Sequence, residues 1–326
     1  MNTRTMMSIA AIAAFAPGIA RAGHGAMGTF SIVAADPATG EVGVAVQSKY
    51  FCVGAVVPHA RAGVGAVATQ AAGVTAYGPR ILDLLAGGMS PEKALETALA
   101  DDADKETRQL GVVDAKGRTA NWTGAKCNAW AGSSKGVNYS AQGNILAGEA
   151  VVREMGRAFE AAKGSMAEKL MAAIEGGQAA GGDKRGQQSA ALIVERKGAA
   201  KEGREGVDRI VDLRVDDSTE PIKELRRLLG IRLRWEVLQV ASGCYQKKDF
   251  AKGAAVLADG LIKFPDDPTI LYDLACYECL AGRTTDALAH LERALTLDPK
   301  SREMAKGDSD FDSVKSSPEF KKLTTP

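Results

Sequence analysis

Histidine is scarce in this chain, with His24, His59 and His290 the only three in 326 residues. His59 lacks an obvious sequence partner and His290 sits in a helical pattern, so a Ser–His–Asp triad is not indicated. There is no HExxH, no clustered Cys/His set and no EF-hand loop, so no metal is expected. There is also no GxGxxG or GxxxxGK, which removes the usual reasons to expect a nucleotide cofactor. Charge of one sign is missing too: 41 Lys+Arg against 40 Asp+Glu leave a net +1, which points neither to nucleic acid nor to an anionic membrane surface. Aromatics are only 5% while glycines number 36, which favours strands of small residues and tight turns over a bulky aromatic core. Beyond residue 28 no apolar run is long enough for a transmembrane helix.

Cysteines are few and odd in number: Cys52, Cys127, Cys244, Cys276 and Cys279. They cannot all pair within one chain. Cys276-Tyr-Glu-Cys279 has CxxC spacing but lies in a helical pattern without a second ligand pair, so it reads as small residues buried on a helix.

What is present begins with an address. Residues 1–28 read as a leader, with Arg4, an apolar stretch from Met6 to Phe15, the breaker Pro17-Gly18 and small residues at Ala20-Arg21-Ala22. Cleavage is expected near 22/23, with further processing at 28/29 as an option, and the mature protein is expected to be exported, either periplasmic or secreted.

A chain of this length suits two domains. Thr29–Ala35 and Glu41–Gln47 read as a hairpin around Asp36-Pro-Ala-Thr-Gly40. Gly63–Thr69 is a further strand. Pro79–Leu85 is helical, and Ser90-Pro91 caps a second helix. A second hairpin is expected over 110–123, helices over roughly 147–162 and 165–175, then strands over Gln188–Val194 and Ile210–Val215. Lys197–Val207 reads as a charged, Gly-rich turn, and Glu220–Leu229 as a closing helix. Such segregated runs indicate an α+β layered domain over 29–230.

From residue 231 the pattern becomes an all-α helical repeat. Pro265 and Pro299 lie 34 apart, as do Val237 and Leu271, Ala241 and Ala275, and Leu257 and Leu291. Ala275, Gly282, Ala287, Leu291, Ala294 and Pro299 fit a tetratricopeptide-like spacing, and the tail from Asp308 reads as a cap.

Six blocks then carry a resemblance. They are Thr29–Ala34, Ala60–Gln70, Arg108–Asp114, Ala141–Gly148, Gly181–Ala190 and Val211–Asp217. Over about 28–230 the chain resembles the DUF1028 family, which has an N-terminal-nucleophile (Ntn) hydrolase-like fold. The resemblance implies a four-layer αββα sandwich.

It also implies a chemistry to test. An Ntn hydrolase attacks an amide with the side chain of its first mature residue and uses its own α-amine, of pKa about 8, as base. Thr29 opens the first strand after Gly28 and is the candidate nucleophile; the alternative is a plain strand residue. Lys49 and Arg61 are the candidates for the cation beside it, or else solvated strand-end charges. Gln142-Gly143-Asn144 is an oxyanion candidate, through Gly143 N–H groups and the Asn144 amide, or a simple turn. Asp183 is a candidate partner for the Thr29 α-ammonium, or for Arg185 in a structural ion pair. Thr69, Gln70, Arg185, Gln188 and Ser189 are candidates for lining the cleft. The expected activity is hydrolysis of a small amide or peptide. The rival expectation is a non-catalytic binding or scaffold protein whose repeats hold a protein or peptide partner. Ntn folds often associate through their helical layers, so a homodimer is also an expectation.

Overall fold

A computed structural model describes residues 28–202 and 207–325. The leader reading, with His24 and the expected 22/23 cleavage, falls on residues outside this range. So does part of the expected 197–207 turn.

Among the described residues the first part contains ten strands in two antiparallel sheets. The larger sheet holds β1 (Thr29–Asp36) and β2 (Glu41–Ser48) at its centre, and the smaller one pairs β3 (Pro58–Arg61) with β4 (Gly65–Ala71). β5 (Arg108–Asp114) and β6 (Thr119–Thr123) complete the smaller sheet in the order β3-β4-β5-β6. β7 (Gly132–Gly136), β8 (Tyr139–Asn144), β9 (Ser189–Arg196) and β10 (Arg209–Val215) complete the larger, in the order β10-β9-β2-β1-β8-β7. The first hairpin turns as its sequence dictates: Asp36 Oδ1 accepts from the Ala38 N–H at 2.9 Å, and Gly40 takes a φ of 74°.

Alternation along each strand fixes the layers. Phe30, Ile32 and Ala34 of β1 face one way, and Val33 and Ala35 the other. The first set packs against α3 (Ala150–Ala161), α4 (Met166–Ala179) and the start of α5 (Pro221–Gln246). The second set meets Ala66, Ala68 and Val113 of the smaller sheet. The outer face of that sheet is covered by α1 (Tyr77–Ala86) and α2 (Pro91–Leu99), through Ile81, Leu82, Leu95 and Leu99. The layering is therefore helix, sheet, sheet, helix, as an α+β sandwich requires. Local caps agree with it: Ser165 and Glu168 form a reciprocal capping box on α4.

Three departures from expectation matter. β3, β7 and β8 were not expected as strands, because their short, mixed segments lack clear alternation of hydrophobic residues. Gln142-Gly143-Asn144 is not a turn but the end of β8, paired with β1 residue for residue. The closing helix does not stop at 229. α5 runs unbroken to Gln246, since Gly230 alone costs only about 1 kcal/mol and no proline or cap interrupts the run. Its Ile222, Leu225 and Leu229 join the first core, whereas Ala241 and Cys244 join a second.

The second core is all helical, from α6 (Phe250–Lys263), α7 (Pro268–Leu280), α8 (Thr284–Leu297), α9 (Ser301–Gly307) and α10 (Pro318–Thr324). Positions singled out by the 34-residue spacing, Leu257, Leu271, Ala275 and Leu291, are buried there. An ion pair of 2.9 Å between Lys263 on α6 and Glu168 on α4 links the helical part to the first.

Candidate active site

The face of β1 toward the smaller sheet changes character along its length. Val33 and Ala35 are apolar, but Thr29 and Ser31, at the start of the strand, are polar and fully buried. Register carries this polarity to the neighbouring strands. Thr29 lies opposite Ser48 on β2 and Asn144 on β8, while Ser31 lies opposite Gln142. The smaller sheet supplies Gln70 and Gln109 at the same end. One end of the space between the sheets is therefore a buried polar compartment, and Thr29 stands at its edge.

Thr29 Oγ1 lies 3.0 Å from Ser48 Oγ. The Ser48 hydroxyl donates to the Gly28 carbonyl oxygen at 2.5 Å. A second donor converges on the same oxygen: Arg185 Nη2, at 2.7 Å. Arg185 is held by Asp183 through Nε–Oδ1 (3.1 Å) and Nη2–Oδ2 (2.7 Å), and the Asp183 side chain is fully buried. Asp183 Oδ2 also accepts from the Lys49 N–H at 3.1 Å. The approach is close: a Cβ on Gly28 would stand 2.8 Å from Asp183 Oδ2 and 2.9 Å from Arg185 Nη2. Only glycine fits before Thr29 without displacing this pair. The carbonyl of the Gly28–Thr29 bond thus carries a hydroxyl donor and a guanidinium donor, and the neighbouring hydroxyl belongs to Thr29.

Behind Thr29 the amides form a continuous chain. Ser140 Oγ donates to Gln142 Oε1 (3.1 Å), and Gln142 Nε2 donates to Ser31 Oγ (2.6 Å). Ser31 Oγ donates to Gln70 Oε1 (2.6 Å), and Gln70 Nε2 to Gln109 Oε1 (2.9 Å). Asn144 Nδ2 donates to the same Gln109 oxygen at 3.0 Å, and Gln109 Nε2 reaches the Gly143 carbonyl at 2.8 Å. Gly111 makes room for this chain, since a Cβ there would stand 2.1 Å from Gln142 Oε1. Each amide makes at least one hydrogen bond, as burial demands.

The expected site residues divide accordingly. Thr29, Asp183 and Arg185 meet at one point, and Gln70, Gln142 and Asn144 lie in the adjoining network. Asn144 gives one amide hydrogen to Gln109, and Gly143 is a strand residue opposite Phe30. Lys49 contributes its backbone N–H, while its Nζ turns outward to the Gln187 carbonyl at 3.1 Å. Arg61 stands apart. It pairs with Gly65 at the far end of β4, five residues or about 17 Å from Gln70, and forms an exposed ion pair with Asp83 at 2.9 Å. The cation beside Thr29 is therefore Arg185 rather than Lys49 or Arg61. Thr69 points to the helix side, with its hydroxyl on the Val74 carbonyl, because strand alternation sends it opposite to Gln70. Gln188 reaches outward to Asp217 (3.0 Å), and Ser189 ties the 50–53 turn through Tyr50 and Val53.

Sequence reading missed Ser48, Ser31, Ser140 and Gln109. The available signal was the period-two run of polar residues in strands, Thr29/Ser31 and Ser140/Gln142/Asn144, which a search for apolar alternation passes over. His59 is half-buried beneath Gly78, its Nε2 without a partner among the described residues, and burial lowers its pKa. Among the described residues one trio, Cys276, Asp308 and Asp310, brings metal-type ligand atoms within 4.8 Å of one another, and it lies in the helical part.

A family model described as "Family of unknown function (DUF1028)" matches residues 29–225, more than half of the chain. The crystal structure of a Silicibacter pomeroyi protein, described with the same family, is 32% identical, with a TM-score of 0.56. The match covers 62% of this chain and 88% of that one. No curated protein matches the sequence.

Proposed function

This chain belongs to the DUF1028 family, a family of unknown function, and from that premise we propose that its first part is an exported amide-bond hydrolase of the N-terminal-nucleophile type. Thr29 is the nucleophile. The observation that carries the reading is the grip on the Gly28 carbonyl: Ser48 and Arg185 both donate to its oxygen, and the Thr29 hydroxyl lies beside Ser48. Two donors on one carbonyl oxygen are what an acyl transfer needs where negative charge develops.

Release of Thr29 would proceed as an N-to-O acyl shift. Thr29 Oγ1 bonds to the Gly28 carbonyl carbon, and its proton passes through the Ser48 hydroxyl to the carbonyl oxygen. The tetrahedral adduct collapses with cleavage of the C–N bond, and the proton ends on the Thr29 nitrogen. Water then hydrolyses the ester, leaving a Gly28 carboxylate and a free Thr29 α-amine. That amine is the base for later turnovers on a small amide or peptide. Ser48 and Arg185, vacated by the leader, would bind the substrate carbonyl oxygen, and Asp183 would orient the α-ammonium.

The rival, a non-catalytic binding or scaffold protein, draws on the full burial of Thr29 in the uncut chain. Intact mass and N-terminal sequencing of the exported protein separate the two. The hydrolase reading expects a chain starting at Thr29, with release slowed at least tenfold in Ser48→Ala. A chain that keeps Gly28, together with Thr29→Ala leaving amidase activity unchanged, would overturn it.

A further inference from the structure

The helical part holds a groove of about 490 Å3, lined by residues of α5, α7, α9 and the 308–310 turn and by none of the residues around Thr29. Its charged lining is one-sided: Asp273, Asp298, Asp308 and Asp310, with no lysine or arginine. Two of these carboxylates are steadied by phenols, Asp308 by Tyr272 (2.9 Å) and Asp310 by Tyr245 (2.8 Å). Asp273 has no hydrogen bond or ion pair among the described residues. Burial, with Asp267, Asp308 and Asp310 facing it, pushes its pKa up to about 6, against the pull of Arg234. Arg234 is itself paired with Asp267.

A second observation is independent of the charge. Tyr277 also lines the groove, is only 6% exposed, and its hydroxyl has no hydrogen-bond partner among the described residues. Its ring is locked in place over Gly253, where a Cβ would stand 2.2 Å away, and edge-on to Tyr245 at 5.7 Å. The ring is buried while the hydroxyl opens to the groove, where it is free to take a partner. Here it is an acceptor placed beside uncompensated carboxylates.

We propose that this groove binds a basic peptide, taking lysine or arginine side chains against Asp273 and Asp310 and the ring and hydroxyl of Tyr277. The volume lies within the range of organic ligand sites, about 300–1,000 Å3, and far exceeds what a bare ion fills. Tyrosine rings favour organic cations over hydrated metal ions. This inference does not depend on the chemistry proposed for Thr29.

The test is fluorescence anisotropy of a labelled, end-capped tetralysine peptide titrated with the full chain at low salt. Saturable one-to-one binding is expected, with no binding of tetraglutamate. Asp273→Asn should weaken it at least tenfold and Tyr277→Phe several-fold, while both variants keep cooperative thermal melts. Failure of the wild type to saturate, or equal affinity in Asp273→Asn, would overturn the proposal. So would displacement of the peptide by stoichiometric Zn2+ or Ca2+, which would make the groove a metal site, or equally tight binding of free spermidine.

Discussion

Gln109 is the hub of the buried amide chain, and replacing it with leucine isolates what that chain contributes. Leucine keeps a comparable bulk between the sheets but removes both the acceptor and the donor. Asn144 Nδ2 then loses the acceptor it holds at 3.0 Å. Gln70 Nε2 loses its 2.9 Å bond and keeps only two long contacts of 3.4 Å, to the Thr29 and Gln142 carbonyls. Each buried donor that loses its acceptor costs about 1–3 kcal/mol, so the two together predict a loss of about 2–6 kcal/mol, toward the lower end because Gln70 keeps its long contacts. That is a large part of the 5–15 kcal/mol typical of a folded domain. Urea unfolding, followed by both fluorescence and circular dichroism, should show a lower midpoint with an unchanged slope. Gln47 supplies the control. It is equally buried, but its Oε1 has no partner and its Nε2 only a 3.5 Å contact with the Gly186 carbonyl. Gln47→Leu should therefore cost less than about 1 kcal/mol. A Gln109→Leu loss below 1 kcal/mol, or one equal to that of Gln47→Leu, would refute the claim that the network is held by Gln109.

Two further outcomes follow from the same structure. Gly28→Ala drives a methyl group into Asp183 and Arg185, so it should slow release of Thr29 at least tenfold in a time course by mass spectrometry while leaving the urea midpoint nearly unchanged. Asp273→Asn should stabilise the protein near pH 7, even though it removes a binding group. The Asp273 pKa is raised to about 6 in the fold, so its neutral form favours folding below about pH 4 and that contribution is lost as the pH rises through 6. After allowance for solvent screening, the variant should gain about 1–2 kcal/mol at pH 7 and nothing at pH 4, read as the difference between paired urea titrations.

The elements with strong local signals were legible in advance. The first hairpin carries its own turn chemistry, α2 carries its serine cap, and the second part carries helical periodicity; each reads correctly because the cause is local. β7 and β8 fail that test. Their segments are polar and glycine-rich, and they become strands only because β1 offers an edge and Gln70 and Gln109 offer partners across the sheets. Gln142-Gly143-Asn144 misled for the same reason: Gly-Asn is good turn chemistry, and the pairing that overrides it comes from Thr29–Ser31, more than a hundred residues away. Arg61 is a strand-end cation in the sequence, which says nothing about which end of β4 it faces.

The sequence by itself determined the α+β order of the first part, the helical character of the second, and the pairing of Gly28 with Thr29 at the mouth of the first strand. Those follow from periodicity, caps and adjacency, which act over a few residues. The tertiary structure alone decided that Arg185, rather than Lys49 or Arg61, holds the Gly28 carbonyl with Ser48, that Asn144 serves Gln109, and that one helix joins both cores. These depend on strand register and on which groups burial forces to find partners, and neither can be read from residues that lie far apart in the chain.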